Sequence, residues 1–126
     1  MEPFSVEASK QTPHVVLDKN KEIFLFTGRS LPENSAAFYE PILAWLNQYI
    51  NNPNPVTIIN FELEYFNSAS SKIIFEIILM LKDILSKGLE AKVNWCYTEE
   101  DEDILESGQT FEGLSNVPFV FTIMDE

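Results

Sequence analysis

The chain has 126 residues, 45% of them hydrophobic, and its 20 acidic and 8 basic side chains give a formal net charge of −12. This length and apolar content predict one domain, residues 1–126, with a core that needs no disulfide or metal. The negative charge argues against nucleic acid and membrane partners, because it repels phosphate groups, although acidic surfaces also serve solubility alone. The single cysteine, Cys96, and the lack of an apolar leader at the N-terminus predict a cytoplasmic protein.

The first part of the chain predicts a β-hairpin after an irregular start. Residues 1–13 are polar and predict a loose N-terminal lead-in. Short apolar runs at 15–17 and 23–27, separated by the turn residues 18–21, are typical of two antiparallel strands. Gly28 is expected to end the second strand.

A helix is predicted next, between the hairpin and the Pro- and Asn-rich residues 51–55. Asn34 or Ser35 is expected to cap its N-terminus, because a side-chain oxygen at that position accepts a bond from a free backbone N–H. Pro41 lies inside the pattern and predicts either a kink or a helix that begins near it. The apolar positions recur at helical spacing: Phe38, Ile42, Leu46 (or Trp45) and Tyr49.

The middle of the chain gives the strongest strand and helix patterns. Residues 56–66, VTIINFELEYF, are β-branched and aromatic, with apolar side chains alternating onto one face. Residues 70–88 then predict a helix of about five turns that is apolar around most of its circumference, as expected for packing on a sheet.

The last third predicts a strand, an acidic helix and a closing strand. Residues 90–97 alternate as in a strand, and Thr98 is expected to cap the helix with Asp101 completing a capping box. Residues 117–124 predict the last strand. The order β-β-α-β-α-β-α-β predicts an α/β fold in two or three layers, with a mixed sheet of about five strands packed with three helices.

Residues that carry catalysis or bind metals are scarce. His14 is the only histidine, there is no cysteine pair, and the four glycines are not clustered into a phosphate-binding loop. Cys96, on an alternating strand, is expected to be a buried small apolar residue. The sequence therefore predicts a protein that is not an enzyme and that uses no metal and no cofactor.

Three serines, Ser68, Ser70 and Ser71, stand within four positions at the junction between the central strand and its helix. One interpretation is structural, since Asn67, Ser68 or Ser70 is enough to cap the helix. The other is functional: the free N–H groups and positive dipole end of a helix stabilise an anion, so a phosphate on a hydroxyl would be well tolerated. The residues alone leave both interpretations open.

The junction resembles the phosphorylation site of STAS domains, which are anti-sigma-factor antagonists. That family has Asp-Ser-Ser/Ala-Gly at the end of a strand, and this chain has Asn67-Ser68-Ala69-Ser70. The fold implied by the resemblance is STAS-like, and the function implied is partner switching.

A more extensive resemblance, over roughly residues 10–126, is to the SiaC family of bacterial regulatory phosphoproteins. It rests on G-x-S-x-P-E-N-S at 28–35 and on L-x-Y-x-N-S at 63–68. It also includes the following residues: Ser70, Ser71, Lys72, Trp95, Pro118, Phe119, Asp125 and Glu126.

The SiaC resemblance implies a phosphorylation switch. A kinase with a histidine-kinase-like ATPase fold would phosphorylate Ser68, or as second choice Ser70, and a PP2C-type phosphatase would remove the phosphate. The unphosphorylated form would bind a diguanylate cyclase and promote cyclic-di-GMP synthesis, which favours biofilm formation.

The expected partner face combines two segments that follow parallel strands, since strand C-termini share one sheet edge. Arg29, Glu33 and Asn34 are placed in a loop after the second strand, with Arg29 or Asn34 near Ser68. The face is completed by these residues: Asn67, Ser71 and Lys72. Two alternatives stay open: an anti-sigma-factor antagonist, and a small enzyme or ligand-binding domain with a pocket near Cys96.

Overall fold

The computed structural model describes residues 1–125, which form six strands and three helices. The strands are β1 (Phe4–Val6), β2 (His14–Asp18), β3 (Ile23–Ser30), β4 (Val56–Phe66), β5 (Glu90–Thr98) and β6 (Phe119–Met124). The helices are α1 (Ser35–Tyr49), α2 (Ser68–Ser86) and α3 (Glu102–Ser115). Glu126, the last residue of the SiaC resemblance, lies outside the described residues.

All six strands form one sheet in chain order, β1-β2-β3-β4-β5-β6. The pairs β1–β2 and β2–β3 are antiparallel, and β3–β4, β4–β5 and β5–β6 are parallel. One helix connects each parallel pair, and α2 contacts both α1 and α3, so the helices lie side by side in one layer. The predicted α/β class, mixed sheet and three helices are confirmed, and the sheet has six strands rather than about five.

The additional strand, β1, lies within the segment predicted to be a loose lead-in. Phe4 pairs with Leu17 and Val6 with Val15, so β1 extends the hairpin as an antiparallel edge strand. The indole N–H of Trp45 donates to the carbonyl oxygen of Glu2 at 2.8 Å, which ties the same segment to α1. The lead-in prediction is therefore wrong for residues 4–6, because three residues are too few to show a strand period.

Strand β3 continues past Gly28, which has a φ of +112°, a value that side-chain-bearing residues rarely adopt. Its register against β4 shifts there: Gly28 pairs with Leu63 and Arg29 with Tyr65, which leaves Glu64 as the extra residue of a bulge. Arg29 therefore lies in β3 and not in a following loop, contrary to the prediction. The bulge turns the Tyr65 side chain toward solvent, where it is 46% exposed.

Each helix begins at an Asn or Asp cap. Asn34 accepts the amide of Ala37 at the start of α1, as one of the two predicted alternatives. Asp101 caps α3 by accepting the amide of Ile104, so the expected cap at Thr98 is wrong. Thr98 is instead the last residue of β5. Helix α1 begins well before Pro41, which lies inside it.

The core lies between the sheet and the helix layer as one cluster of buried apolar side chains. Trp95 of β5 belongs to this cluster and lies next to α3. The indole N–H of Trp95 donates to the carbonyl oxygen of Ile104 at 2.8 Å. Gly108 allows this contact, because an added Cβ would overlap the Trp95 ring at Cδ1. The sheet contributes these buried residues: Val15, Leu17, Phe24, Phe26, Ile59, Phe61, Leu63, Ala91, Val93 and Trp95.

Candidate functional site

The candidate site lies at the sheet edge where the parallel strands end and the helices begin. Strand β3 ends at Ser30 and β4 at Phe66, and these two residues are paired. The amide of Asn67 donates to the carbonyl oxygen of Ser30 at 3.0 Å, which continues the β3–β4 pairing one residue into the junction. The two predicted segments therefore meet at one edge, as expected for neighbouring parallel strands.

Asn67 caps α2, so the serines are not needed for that role. Its backbone is extended, with φ −85° and ψ 176°, and its side-chain oxygen accepts the amide of Ser70 at 2.8 Å. Its carbonyl oxygen accepts the amide of Ser71 at 2.9 Å. Of the three capping alternatives, Asn67 is the one observed, and the Ser68 hydroxyl is left without a capping function.

The three serines of the junction lie in different environments. Ser68 is the first residue of α2 and is exposed. Ser70 is completely buried, and Ser71 is half-buried. Among these hydroxyls, that of Ser68 is therefore the most accessible to another protein, whereas Ser70 would have to leave the core before an enzyme could reach it.

A buried chain of hydroxyl groups connects Ser70 to β3 and α1. The Ser30 hydroxyl donates to Ser70 Oγ at 2.9 Å and lies 2.6 Å from the Tyr39 hydroxyl. Because Ser30 has one hydroxyl proton and gives it to Ser70, Tyr39 must be the donor to Ser30. Burial raises the pKa of Tyr39 to about 12, against the smaller lowering effect of its bond to Ser30, so the phenol is protonated at neutral pH.

The other predicted partner residues lie around this edge, but not all of them approach Ser68. The guanidinium of Arg29 stacks over the Tyr65 ring, with 5.5 Å from Cζ to the ring centroid. Lys72 is exposed one helical turn after Ser68. Glu33 is exposed before α1, and the Asn34 side chain is used as its cap. Within residues 1–125 no hydrogen bond or ion pair joins Arg29 or Asn34 to Ser68.

An acidic groove adjoins the start of α2. It lies between α2 and α3 and has these lining residues: Ser71, Asp103, Glu106, Ser107, Thr110 and Phe111. Ser68 precedes Ser71 by three positions, which places the two on neighbouring parts of the helix surface. Across the described part of the chain, the carboxylates and the lone histidine and cysteine form no group of three or more that could hold a metal ion.

Cys96 does not provide a reactive group. It is 4% exposed, and the expectation of a buried small apolar residue is confirmed. Burial, and secondarily the charge of Glu62, raises the pKa of the thiol to about 11, so it is protonated at neutral pH and is a poor nucleophile and ligand. In the described part of the chain no helix has the length and apolar character needed to cross a bilayer.

The comparison with protein families decides the assignment. The model of the SiaC family of regulatory phosphoproteins matches residues 6–124, nearly the whole chain. The chain belongs to the SiaC family. An uncharacterized protein of Pseudomonas aeruginosa (strain UCBPP-PA14) is 22% identical over 126 residues, with 100% of both chains covered.

Solved SiaC structures from Pseudomonas aeruginosa share the fold of this family member. Apo-SiaC has a TM-score of 0.87 at 20% identity, covering 97% of this chain and 99% of that one. SiaC in complex with the diguanylate cyclase SiaD, of which it is the activator, has a TM-score of 0.89 at 21% identity, with 96% and 99% covered. At these identities the likeness shows the fold, and the predicted α/β arrangement of a mixed sheet with three helices agrees with it.

Three residues of this edge were not predicted from the sequence to belong to the site: Ser30, Tyr39 and Tyr65. Ser30 and Tyr65 are in the two quoted motifs, but only the register shift at Gly28 shows that one faces the core and the other solvent. Tyr39 falls next to the apolar stripe of α1 and is fully buried. The hydroxyl group of a tyrosine beside the apolar stripe was the one sequence signal for a buried hydrogen bond at this position.

Proposed function

We propose that this SiaC-family chain is a non-catalytic phosphorylation switch that acts in the cytoplasm through Ser68. A kinase with a histidine-kinase-like ATPase fold adds the phosphate, and a PP2C-type phosphatase removes it. The observation that carries this proposal is the division of roles at the junction: Asn67 caps α2, while Ser68 is exposed at its first position and has no capping role.

The start of α2 suits a phosphate at Ser68. The first turn contains no acidic residue, so the positive end of the helix dipole is not yet matched by a negative side chain. Lys72 is four positions later, where it can pair with the phosphate across one helical turn. A phosphate on Ser70 would instead break the buried bond to Ser30, which favours Ser68 over the second choice.

The proposed target is a diguanylate cyclase, bound and activated by the unphosphorylated form, so that the switch controls cyclic-di-GMP synthesis and biofilm formation. Support comes from the SiaC of Pseudomonas aeruginosa, which activates the cyclase SiaD in the complex described above. The proposed contact surface on this chain is the edge around Ser68. It comprises these residues: Arg29, Glu33, Asn34, Asn67, Ser71 and Lys72.

Phosphorylation is expected to change this surface in two ways. It adds nearly two negative charges beside a groove that already contains Asp103 and Glu106. It also replaces a small hydroxyl with a group that occupies the α2 N-terminus. A partner that hydrogen-bonds to Ser68 or covers it closely would lose those contacts.

The modification is tested by phosphopeptide mass spectrometry on the protein taken from its own cells. We expect phosphate on the peptide that contains Ser68, its loss in Ser68→Ala, and its retention in the matched control Ser71→Ala. Treatment with a PP2C-type phosphatase should remove it. Phosphate that persists in Ser68→Ala would contradict Ser68 as the site and place the modification on another residue such as Ser70. Phosphate that never occurs under any growth condition would return the serines to a purely structural role.

The proposed contact surface is tested by measuring cyclase binding to variants of Arg29. Arg29→Gln should weaken binding, because it removes the guanidinium stacked on Tyr65 while leaving the strand backbone unchanged. Lys21→Gln is the matched control, since Lys21 is exposed in the turn at the opposite end of β3. Equal binding by both variants would exclude Arg29 from the surface.

A further inference from the structure

Ser30, at the end of β3, forms a closed ring of hydrogen bonds with Asn67 and Ser70 at the start of α2. The Asn67 amide donates to the Ser30 carbonyl at 3.0 Å, the Ser70 amide donates to the Asn67 side chain at 2.8 Å, and the Ser30 hydroxyl donates to the Ser70 hydroxyl at 2.9 Å. Ser68 and Ala69 lie in the chain between Asn67 and Ser70, which are two members of this ring. The ring therefore holds the turn that presents Ser68, with two of its members, Ser30 and Ser70, fully buried.

Tyr39 connects this ring to α1. Its hydroxyl lies 2.6 Å from Ser30 Oγ, and the whole side chain is buried. Helix α1 begins only a few residues earlier, with Asn34 bonded to the amide of Ala37. Buried hydrogen bonds in a series strengthen one another, so a change at one end of this chain of hydroxyls is felt at the other.

We infer that the hydroxyls of Ser70, Ser30 and Tyr39 transmit the phosphorylation state of Ser68 to the first turn of α1. The inference rests on the proposed function only in taking Ser68 as the phosphoacceptor. A phosphate at the first position of α2 competes with the neutral Asn67 side chain for the Ser70 amide, and charge-assisted bonds are roughly twice as strong as neutral ones. Winning that bond opens the ring and moves Ser70 away from Ser30, so the Ser30 hydroxyl loses its acceptor and the bond that it accepts from Tyr39 is weakened.

The consequence is that two segments of the proposed contact surface change together. One segment runs from Arg29, near the end of β3, through the connection to Asn34 before α1, and the other begins α2. A partner that contacts both segments would detect phosphorylation twice, once directly at Ser68 and once through the loosened start of α1.

The inference is tested by amide hydrogen exchange, followed by NMR, on the full chain with serine or with phosphoserine built in at position 68 during synthesis. Phosphoserine should speed exchange of the Ala37 and Phe38 amides at least about fivefold, the lower end of usual coupling between sites. The Ile50 amide, at the other end of α1 and bonded to Leu46, is the reference that should not change.

Two tyrosine variants separate transmission from general loss of stability. Tyr39→Phe removes the hydroxyl that links α1 to Ser30, and phosphoserine should then change the Ala37 exchange less than about twofold, because the coupling is gone. Tyr49→Phe is the matched control: it also loses a buried bond from α1, to Thr57 at 2.7 Å, at the end far from Ser68. It should retain the full response.

An equal response in Tyr39→Phe and wild type, or no response in wild type, would overturn the inference. Because phosphoserine is installed during synthesis, this result does not depend on any cellular kinase or on a cyclase. Failure of the exchange experiment and failure of the phosphopeptide experiment are therefore separate outcomes.

Discussion

Helices α2 and α3 begin with the same type of cap, but the first turn of α2 is uncharged and that of α3 is negative. Asn67 accepts the Ser70 amide at 2.8 Å, and Asp101 accepts the Ile104 amide at 3.0 Å. The first turn of α3 contains Glu102 and Asp103, whereas the first turn of α2 contains no acid. The positive end of α3 is thus matched by permanent charges, and that of α2 is open to a charge that is added and removed.

The two helices also differ in the contacts that hold them in place. Helix α3 is positioned by close packing, with Gly108 against the Trp95 ring, whereas the first turn of α2 is held by the hydrogen bonds among Ser30, Asn67 and Ser70. Packing tolerates little displacement, but hydrogen bonds can be exchanged for others. The helix proposed to respond to modification is the one held by exchangeable contacts.

The largest effect is expected where α3 packs against the sheet. Gly108→Ala puts a methyl group into the Trp95 ring and should lower the free energy of unfolding by about 1–3 kcal/mol, as overpacking does. Gly113→Ala on the same helix has no atom within 4 Å of its new Cβ and should be neutral or stabilising by up to about 1 kcal/mol. Urea unfolding measures both, and similar losses in the two variants would show that packing does not fix α3.

Removal of the two caps compares the two helix starts directly. Asn67→Ala should cost about 1–2 kcal/mol of unfolding free energy, since it also leaves the amide of the buried Ser70 without a partner. Asp101→Ala should cost about 0.5–1 kcal/mol, because Glu102 and Asp103 remain in the first turn to stabilise the positive end of α3. Chemical unfolding at one salt concentration gives both values. A greater loss for Asp101→Ala would contradict the importance given to the ring at α2.

High pH tests the buried hydroxyl chain. The pKa of Tyr39 is raised by burial from 10.0 to about 12, so above pH 10 the unfolded state loses this proton first. Between pH 10 and about pH 12 the unfolding free energy should therefore fall as the pH rises, by at most about 1.4 kcal/mol per pH unit. Below pH 10 the ionisation of Tyr39 should not change the unfolding free energy. Tyr39→Phe should remove this part of the pH dependence. Parallel curves for variant and wild type would show that the phenol ionises normally.

The smallest effect is expected from charge at the two helix starts. Ser68→Asp adds the missing negative charge to α2 and should raise the unfolding free energy by about 0.3–1 kcal/mol at low salt, and Glu102→Gln should lower it by a similar amount in α3. Both changes should shrink as salt rises, because exposed charges are screened. Ser68→Asn is the uncharged control. A gain from Ser68→Asp that persists at high salt would require another cause than the dipole.

Much of the fold followed from the sequence, because long elements repeat their pattern several times. The strand at 56–66 and the apolar helix after it are observed as Val56–Phe66 and Ser68–Ser86. Short features were missed: β1 has three residues, and the cap of α3 depends on which of two nearby polar side chains turns toward the helix. Patterns of a few residues do not distinguish these outcomes.

The site was predictable in outline but not in detail. The shared edge follows from parallel strands, which the helices between them require. The separate environments of Ser68 and Ser70 follow from helix geometry combined with the position of Ser30, and that position depends on the register shift between Gly28 and Arg29. Register is a tertiary property, so no local motif could show that Ser30, Tyr39 and Ser70 are bonded.

The most direct test of the switch is the cyclic di-GMP made by a diguanylate cyclase in the presence of each form of the chain. The cyclase to use is the one that co-purifies with the protein from its own cells. The chain with an unmodified Ser68 should raise the rate of synthesis, and the chain with phosphoserine at that position should leave it at the basal rate. Equal stimulation by both forms, or none by either, would contradict the proposal that Ser68 controls a cyclase.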